Sequence, residues 1–212
     1  MKVTKYGHCA LLIEIDGVRF LTDPGSFSSG FDELTNLDAI VITHEHQDHY
    51  HVPSLKAVLA KNPKAIVISN SAVHKLCVIE GIETKIVDEG GNFEVGGVTI
   101  EGKGSEHAEI FGEFGRVMNT GYFFGDKLFY PGDAFTNPER EVEGLVVPVA
   151  GPWMALKEAI IYARAAKSQF TIPVHDALLS DLGRELHYRL FEMLTKGHSK
   201  FVPLENGKAQ EF

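Results

Sequence analysis

Ala39-Ile40-Val41-Ile42-Thr43-His44-Glu45-His46-Gln47-Asp48-His49 is an apolar run that turns abruptly into imidazole and carboxylate. The first four residues read as a strand buried on both faces, and side chains that follow the carboxyl end of such a strand point into a crevice. Histidine makes up 10 of the 212 residues, yet the segment from Thr43 concentrates imidazoles and carboxylates, with His51 just beyond. A solvated polar loop is the bland reading, and solubility alone does not call for so many imidazoles at a strand end. Imidazole nitrogen and carboxylate oxygen suit divalent zinc, iron or manganese, and a tight loop offers alternating side chains to two neighbouring ions. His44, His46, Asp48 and His49 are therefore candidate metal ligands.

Outward from this segment the pattern is that of a layered α/β fold. Apolar runs over 10–15 and 18–22 flank Asp16-Gly17, a dipeptide suited to the positive φ angles of a two-residue hairpin turn. Pro53 opens a helix with Leu55, Val58 and Leu59 on one face, and Asn62-Pro63 stops it before a strand over 65–69. A helix over 71–80 closes at Gly81. Glycine breaks at Gly90-Gly91, Gly96-Gly97 and Gly125-Asp126 make 84–130 read as a meander of mostly antiparallel strands forming a second sheet. A strand over 145–149, a helix over 153–166, a strand over 170–174 and a helix over 181–196 complete the chain. In the last helix Leu186, Leu190, Met193 and Leu194 recur at helical spacing, and Gly197 supplies the stop. The expectation is one domain spanning 1–212.

Composition narrows the function. The 20 basic and 29 acidic side chains leave a net charge of −9, which opposes a large phosphate-backbone footprint, so no nucleic-acid partner is expected. Lys56, Lys61 and Lys64 cluster modestly and read as a solvated helix face. Cys9 and Cys77 lie far apart, sparse usage for a secreted disulfide scaffold. The N-terminus lacks the apolar core of a signal peptide, and no stretch is long and apolar enough to span a bilayer. A cytoplasmic protein with no membrane association is the expectation; homo-oligomerisation is left open.

The run from Thr43 resembles the His-x-His-x-Asp-His signature of metallo-β-lactamase-fold hydrolases. The resemblance implies a four-layer αββα sandwich with a dinuclear site at one edge. In that family an isolated His, an Asp ending a strand and a late His follow, and here His107, Asp133 and His175 stand at those places. By carry-over, His44, His46 and His107 would hold one ion, Asp48, His49 and His175 the other, and Asp133 would bridge them; Zn2+ is the expected metal, with Mn2+ or Fe2+ as alternatives. Each assignment has a competitor. Asp133 also suits an ordinary turn after Tyr130-Pro131-Gly132, and His175, after Phe170-Thr171-Ile172-Pro173-Val174, suits a buried structural histidine. Near His107, Glu106 or Glu109 could serve instead; His74, its rival by order, falls within an amphipathic helix.

A finer resemblance points to the branch that includes ascorbate-phosphate lactonases and many metal-dependent hydrolases. It rests on Gly7-His8-Cys9-Ala10-Leu11-Leu12-Ile13-Glu14, Leu21-Thr22-Asp23-Pro24 and Pro148-Val149-Ala150-Gly151-Pro152-Trp153-Met154. Cys9 replaces the branch's usual Ser, Gln47 and Ala150 stand where Gly is common, and Asp176 follows His175 where an aromatic is frequent, so substrate detail does not transfer. His8 is expected near the ions or the groups around them, with a strand-packing imidazole as the alternative. Asp23 is expected to orient the histidine loop by hydrogen bonding, with a plain turn aspartate as the alternative. Trp153 and Met154 read equally as pocket lining and as core. Neither cysteine is given a role.

The expected activity is hydrolysis of an ester-type bond, a lactone or phosphodiester, in a small molecule. Two close cations lower the pKa of a shared water toward about 7, and Asp48 is the expected catalytic carboxylate. Two other readings stay open: a di-iron oxidoreductase on the same fold, disfavoured by His46 where those proteins resemble the signature with Glu, and a metal-stabilised sensor without turnover.

Overall fold

A computed structural model describes residues 1–114 and 116–212. Among the described residues, fourteen strands and four α-helices follow one another. β1 (Lys2–Lys5), β2 (Leu11–Ile15) and β3 (Val18–Thr22) form an antiparallel meander. Asp16 and Gly17, at φ 51° and 87°, make the tight turn between β2 and β3, as the dipeptide predicts. β4 (Ala39–Ile42) then pairs parallel to β3 and is buried at every residue.

Two crossovers extend this sheet. α1 (Val52–Lys61) carries its proline in the first turn, and leads to β5 (Ile66–Ser69). α2 (Ser71–Ile79) is capped by Asn70, whose side chain accepts from the amides of Ala72 and Val73, and leads to β6 (Thr84–Ile86). β6 lies parallel to β5, which corrects the reading of 84–130 as wholly second-sheet: the helix before β6 returns it alongside β5.

The second sheet starts one strand later. β7 (Asn92–Val95), β8 (Val98–Lys103), β9 (Gly121–Phe124) and β10 (Leu128–Tyr130) run antiparallel. β11 (Gly144–Pro148), α3 (Leu156–Ala165), β12 (Phe170–Val174), α4 (Asp181–Thr195) and the short β13 (Lys200–Phe201) continue it with parallel pairing. α3 begins three residues after Trp153, which packs into the site instead of opening the helix. β14 (Ala209–Glu211) returns to pair with β1; the pattern announces neither β1 nor β14. The two seven-stranded sheets run β14-β1-β2-β3-β4-β5-β6 and β13-β12-β11-β10-β9-β8-β7.

Three apolar clusters hold the layers. Leu11, Ile13, Phe20 and Val41 meet Ile100, Tyr122, Phe124 and Ile172 between the sheets. Leu55, Val58, Val73 and Cys77 seat α1 and α2 on the outside of the first sheet. Ala159, Ala163 and Phe191 seat α3 and α4 on the outside of the second. The architecture is the four-layer αββα sandwich. No helix among the described residues is long and apolar enough to cross a membrane.

Candidate metal centre

Six chain segments deliver polar side chains to one place at the end of the sandwich. His8 lies in the turn between β1 and β2, Asp23 follows β3, and His44 to His49 follow β4. His107 lies in the loop after β8, Asp133 follows β10, and His175 follows β12. Strands that end in register deliver their next residues into a common crevice. The turn after Asp23 runs hard against the histidine loop: a Cβ on Gly25 would stand 1.8 Å from the Asp48 carbonyl oxygen, so only glycine fits there.

The spacings suit divalent ions. Donors 2.0–2.2 Å from one tetrahedral ion stand roughly 3.3–3.6 Å apart. Asp133 Oδ1 lies 3.2 Å from His49 Nε2, while its Oδ2 lies 3.4 Å from His107 Nε2 and 3.0 Å from His175 Nε2. Asp48 Oδ2 lies 3.4 Å from His175 Nε2 and 3.9 Å from His49 Nε2. His44 Nε2 and His46 Nδ1 are 3.2 Å apart. Donor atoms of His44, His46, His107 and Asp133 all fall within 4.8 Å of one another, and so do those of His8, Cys9, His49 and His175. Several of these atoms are buried without a hydrogen-bond partner: Nε2 of His49 and His107, both ring nitrogens of His175, and Asp133 Oδ1. Buried polar atoms are rarely left so, and a cluster of them facing one another fits cations between them.

Asp23 organises the histidine loop. It is fully buried, accepts the Thr43 amide at Oδ1 and the Thr43 hydroxyl at Oδ2, both at 2.8 Å, and faces His49 Nδ1 at 2.8 Å. Such a carboxylate fixes the ring's tautomer and direction. Asp23 and His175 hold left-handed backbone, at φ 38° and 62°, a conformation that costs a non-glycine residue of order 1–3 kcal/mol. On the far side, Asn119 accepts the Asp133 amide at 3.1 Å, and the Trp153 indole donates to Asp133 Oδ2 at 3.0 Å.

Electrostatics divide the site. Burial lowers His44 well below its ordinary value, with His49 adding to the effect, and burial and His107 lower His46. Burial would also lower His49 and His175, yet anions prevail. Cys9, Asp133 and Asp23 raise His49 well above its ordinary value, and Asp133 and Cys9 push His175 up to about 10. Burial would raise Asp133, but His49 and His175 hold it well below the carboxylate range; His175 and His8 do the same for Asp48 against its burial. Burial would raise Cys9, and His8 and His49 bring it down to about 6.

Cys9 is what sequence reasoning missed. It is wholly buried beside three imidazoles, and its replacement of serine in the Gly-His-x strand was the one available signal. Trp153, read as either core or lining, touches the site through its indole. His74, the rival to His107, instead faces Thr84 from α2.

The description "Beta-lactamase superfamily domain" matches residues 2–175. A Mycobacterium tuberculosis protein is 36% identical over 201 residues, covering 92% of this chain and 93% of its own length. A metal-dependent hydrolase of Carboxydothermus hydrogenoformans is 30% identical over 200 residues, with 82% and 84% covered. In three dimensions, the metallo-beta-lactamase fold protein YhfI from Bacillus subtilis superposes with a TM-score of 0.74 at 16% identity, covering 100% of this chain and 98% of its own.

Proposed function

Since the chain belongs to the beta-lactamase superfamily domain family, we propose that it is a dinuclear metal-dependent hydrolase acting on a carbonyl ester-type bond, foremost a lactone, of a small molecule. The observation that carries this reading is Asp133, whose carboxylate faces donors of both groups, His107 of one and His49 and His175 of the other. His44, His46 and His107 would hold one ion and Asp48, His49 and His175 the other, with Asp133 shared. Divalent ions there supply an activated water and a Lewis acid for charge developing on the substrate oxygen. A donor set this rich in imidazole favours zinc over manganese.

The chain's own residues do the rest. Asp48 projects into the mouth of the site, where its histidine neighbours hold it ionised, and it would accept a proton only as charge shifts during attack. The cavity in front of it measures about 310 Å³ and is lined by His46, Asp48, His107, Asp133 and His175 of the site together with apolar side chains, among them Phe27, Ile110, Phe114, Trp153 and Leu178. Among the described residues, none lining it is Lys or Arg. A neutral lactone with an apolar substituent loses little on leaving water against the apolar part of those walls. Both cysteines are unpaired and buried, which suits a reducing, cytoplasmic compartment.

The test is a screen of lactones, cyclic phosphodiesters and thioesters with chelated protein and with protein reloaded with Zn2+, Mn2+ or Fe2+. Lactone hydrolysis should appear only on reloading and vanish in Asp48→Ala. Full activity in the chelated protein would refute the reading, and binding without turnover would favour a sensor.

A further inference from the structure

The imidazoles of this site do not carry their protons alike. Where a fixed acceptor faces one ring nitrogen, that nitrogen carries the proton and the other keeps a lone pair for an ion. His49 Nδ1 faces Asp23 Oδ2 at 2.8 Å, and His107 Nδ1 faces the Ala108 carbonyl at 2.5 Å. His44 Nδ1 lies 3.0 Å from Thr43 Oγ1, whose own proton goes to Asp23, so the hydroxyl accepts there. With an ion bound, all three rings would therefore present a bare Nε2.

His8 is reversed. The backbone amide of Ala177, which can only donate, approaches its Nδ1 at 3.3 Å. Nδ1 is then the lone-pair nitrogen and Nε2 carries the proton. Nε2 is wholly buried, has no well-aligned hydrogen-bond partner, and faces Asp48 Oδ2 across 3.4 Å. The ring has little freedom to turn. The His175 amide donates to the His8 carbonyl at 3.1 Å, and the Phe27 ring packs edge-on at 5.5 Å. The 175–177 loop is itself clamped, because Asp176 accepts Lys5 Nζ at Oδ1 and the Tyr188 hydroxyl at Oδ2, each at 2.6 Å.

We propose that His8, although it stands among donors spaced for an ion, ligates none and is a positioning residue whose Nε2–H fixes the Asp48 carboxylate. One lone pair of Asp48 Oδ2 accepts from His8 and the other is kept for an ion, which sets the direction in which the carboxylate meets the substrate. The role rests on the hydrolase reading above; the ring's tautomer does not.

Two measurements on the full-length protein decide it. Nitrogen NMR of the imidazoles, with His8 assigned by its loss in His8→Gln, should place a proton on Nε2 in both metal-free and Zn2+-loaded protein. Metal analysis of His8→Ala should give the wild-type zinc content, while kcat falls roughly 10- to 100-fold with KM little changed. His8→Gln, whose side-chain amide can donate toward Asp48, should recover most of that loss. A bare Nε2 in the loaded protein, a His8→Ala protein short of one ion, or unchanged kcat would each overturn the proposal. If wild-type protein takes up no zinc, the hydrolase reading falls, and the tautomer in the metal-free protein still decides whether His8 is a donor.

Discussion

The two halves of the candidate metal centre are both rich in imidazole and carboxylate, one adding a thiol, but hold their protons differently. His44 and His46 sit one residue apart on a single loop, and burial among other imidazoles lowers both. They are neutral at physiological pH and accept a cation without first losing a proton. The other half gathers His8 and Cys9 from the N-terminal turn, Asp48 and His49 from the histidine loop, and His175 from beyond β12. There the anions raise His49 and His175 and are themselves lowered. In the absence of metal this half is a set of buried ion pairs, and an ion entering it displaces protons. Residue type thus sets what each half can bind, and the balance of buried charge sets the cost.

The largest effect should come from removing the group the halves share. Asp133→Asn leaves the imidazoles on both sides without their common anion, and metal content should fall from two ions per chain to one or fewer, with activity down about 10³-fold or more. Retention of both ions would mean that the halves are independent sites.

Next is pH. His175, raised to about 10 from an ordinary 6.5, contributes stability that is fully present below pH 6.5 and lost as pH rises through 10; His49 acts in the same sense. Cys9, lowered to about 6 from 9.0, acts oppositely, adding stability as pH rises toward 9. That is one thiol against three imidazoles, because His8 is raised as well. Chelated protein should therefore lose about 5 °C or more in Tm between pH 7 and 10, while zinc-loaded protein, whose imidazoles are already neutral, stays flat. Over the same window affinity for the ion at His49 and His175 should rise about tenfold per pH unit for each displaced proton, and that for the ion at His44 and His46 should not. Parallel pH profiles would abolish the distinction.

Asp23→Asn sharpens it further. Asp23 bonds His49 directly but reaches His44 only through Thr43, so the His49 ion should weaken by about 10- to 100-fold and the other by less. Calorimetric titration with Zn2+ separates the two steps.

How much of this was legible follows from what each residue's role depends on. The histidine loop was legible because its chemistry is contiguous and follows an all-apolar strand. The hairpin at Asp16-Gly17 was legible because a backbone conformation demands those residues. β14 was not, since Ala209–Glu211 is exposed throughout and carries no periodicity; it is a strand only because β1 offers it an edge. Cys9 was not legible either, because a thiol's meaning depends on neighbours brought from 40 to 166 residues away in the chain. Asp176 broke the family pattern in sequence, and only the buried Lys5 and the half-buried Tyr188 beside it explain how the chain tolerates a carboxylate there.

The smallest expected effect lies outside both halves, at the mouth. Phe114 is 71% exposed and Phe27 44% exposed, yet both line the cavity in front of Asp48. Large rings left in water at a site's rim gain by covering an apolar substituent. Neither touches an ion donor's anchoring bonds, although Phe27 packs against His8, so Phe114 is the cleaner probe. Phe114→Ser removes part of one ring's burial, roughly 1 kcal/mol, which is about a fivefold loss in kcat/KM. The loss should appear in KM for lactones with long alkyl chains, vanish for short ones, and leave zinc content and both pH profiles unchanged. An equal loss for short and long chains would mean that the mouth does not read the substituent, and the preference for a neutral apolar substrate would lose its support.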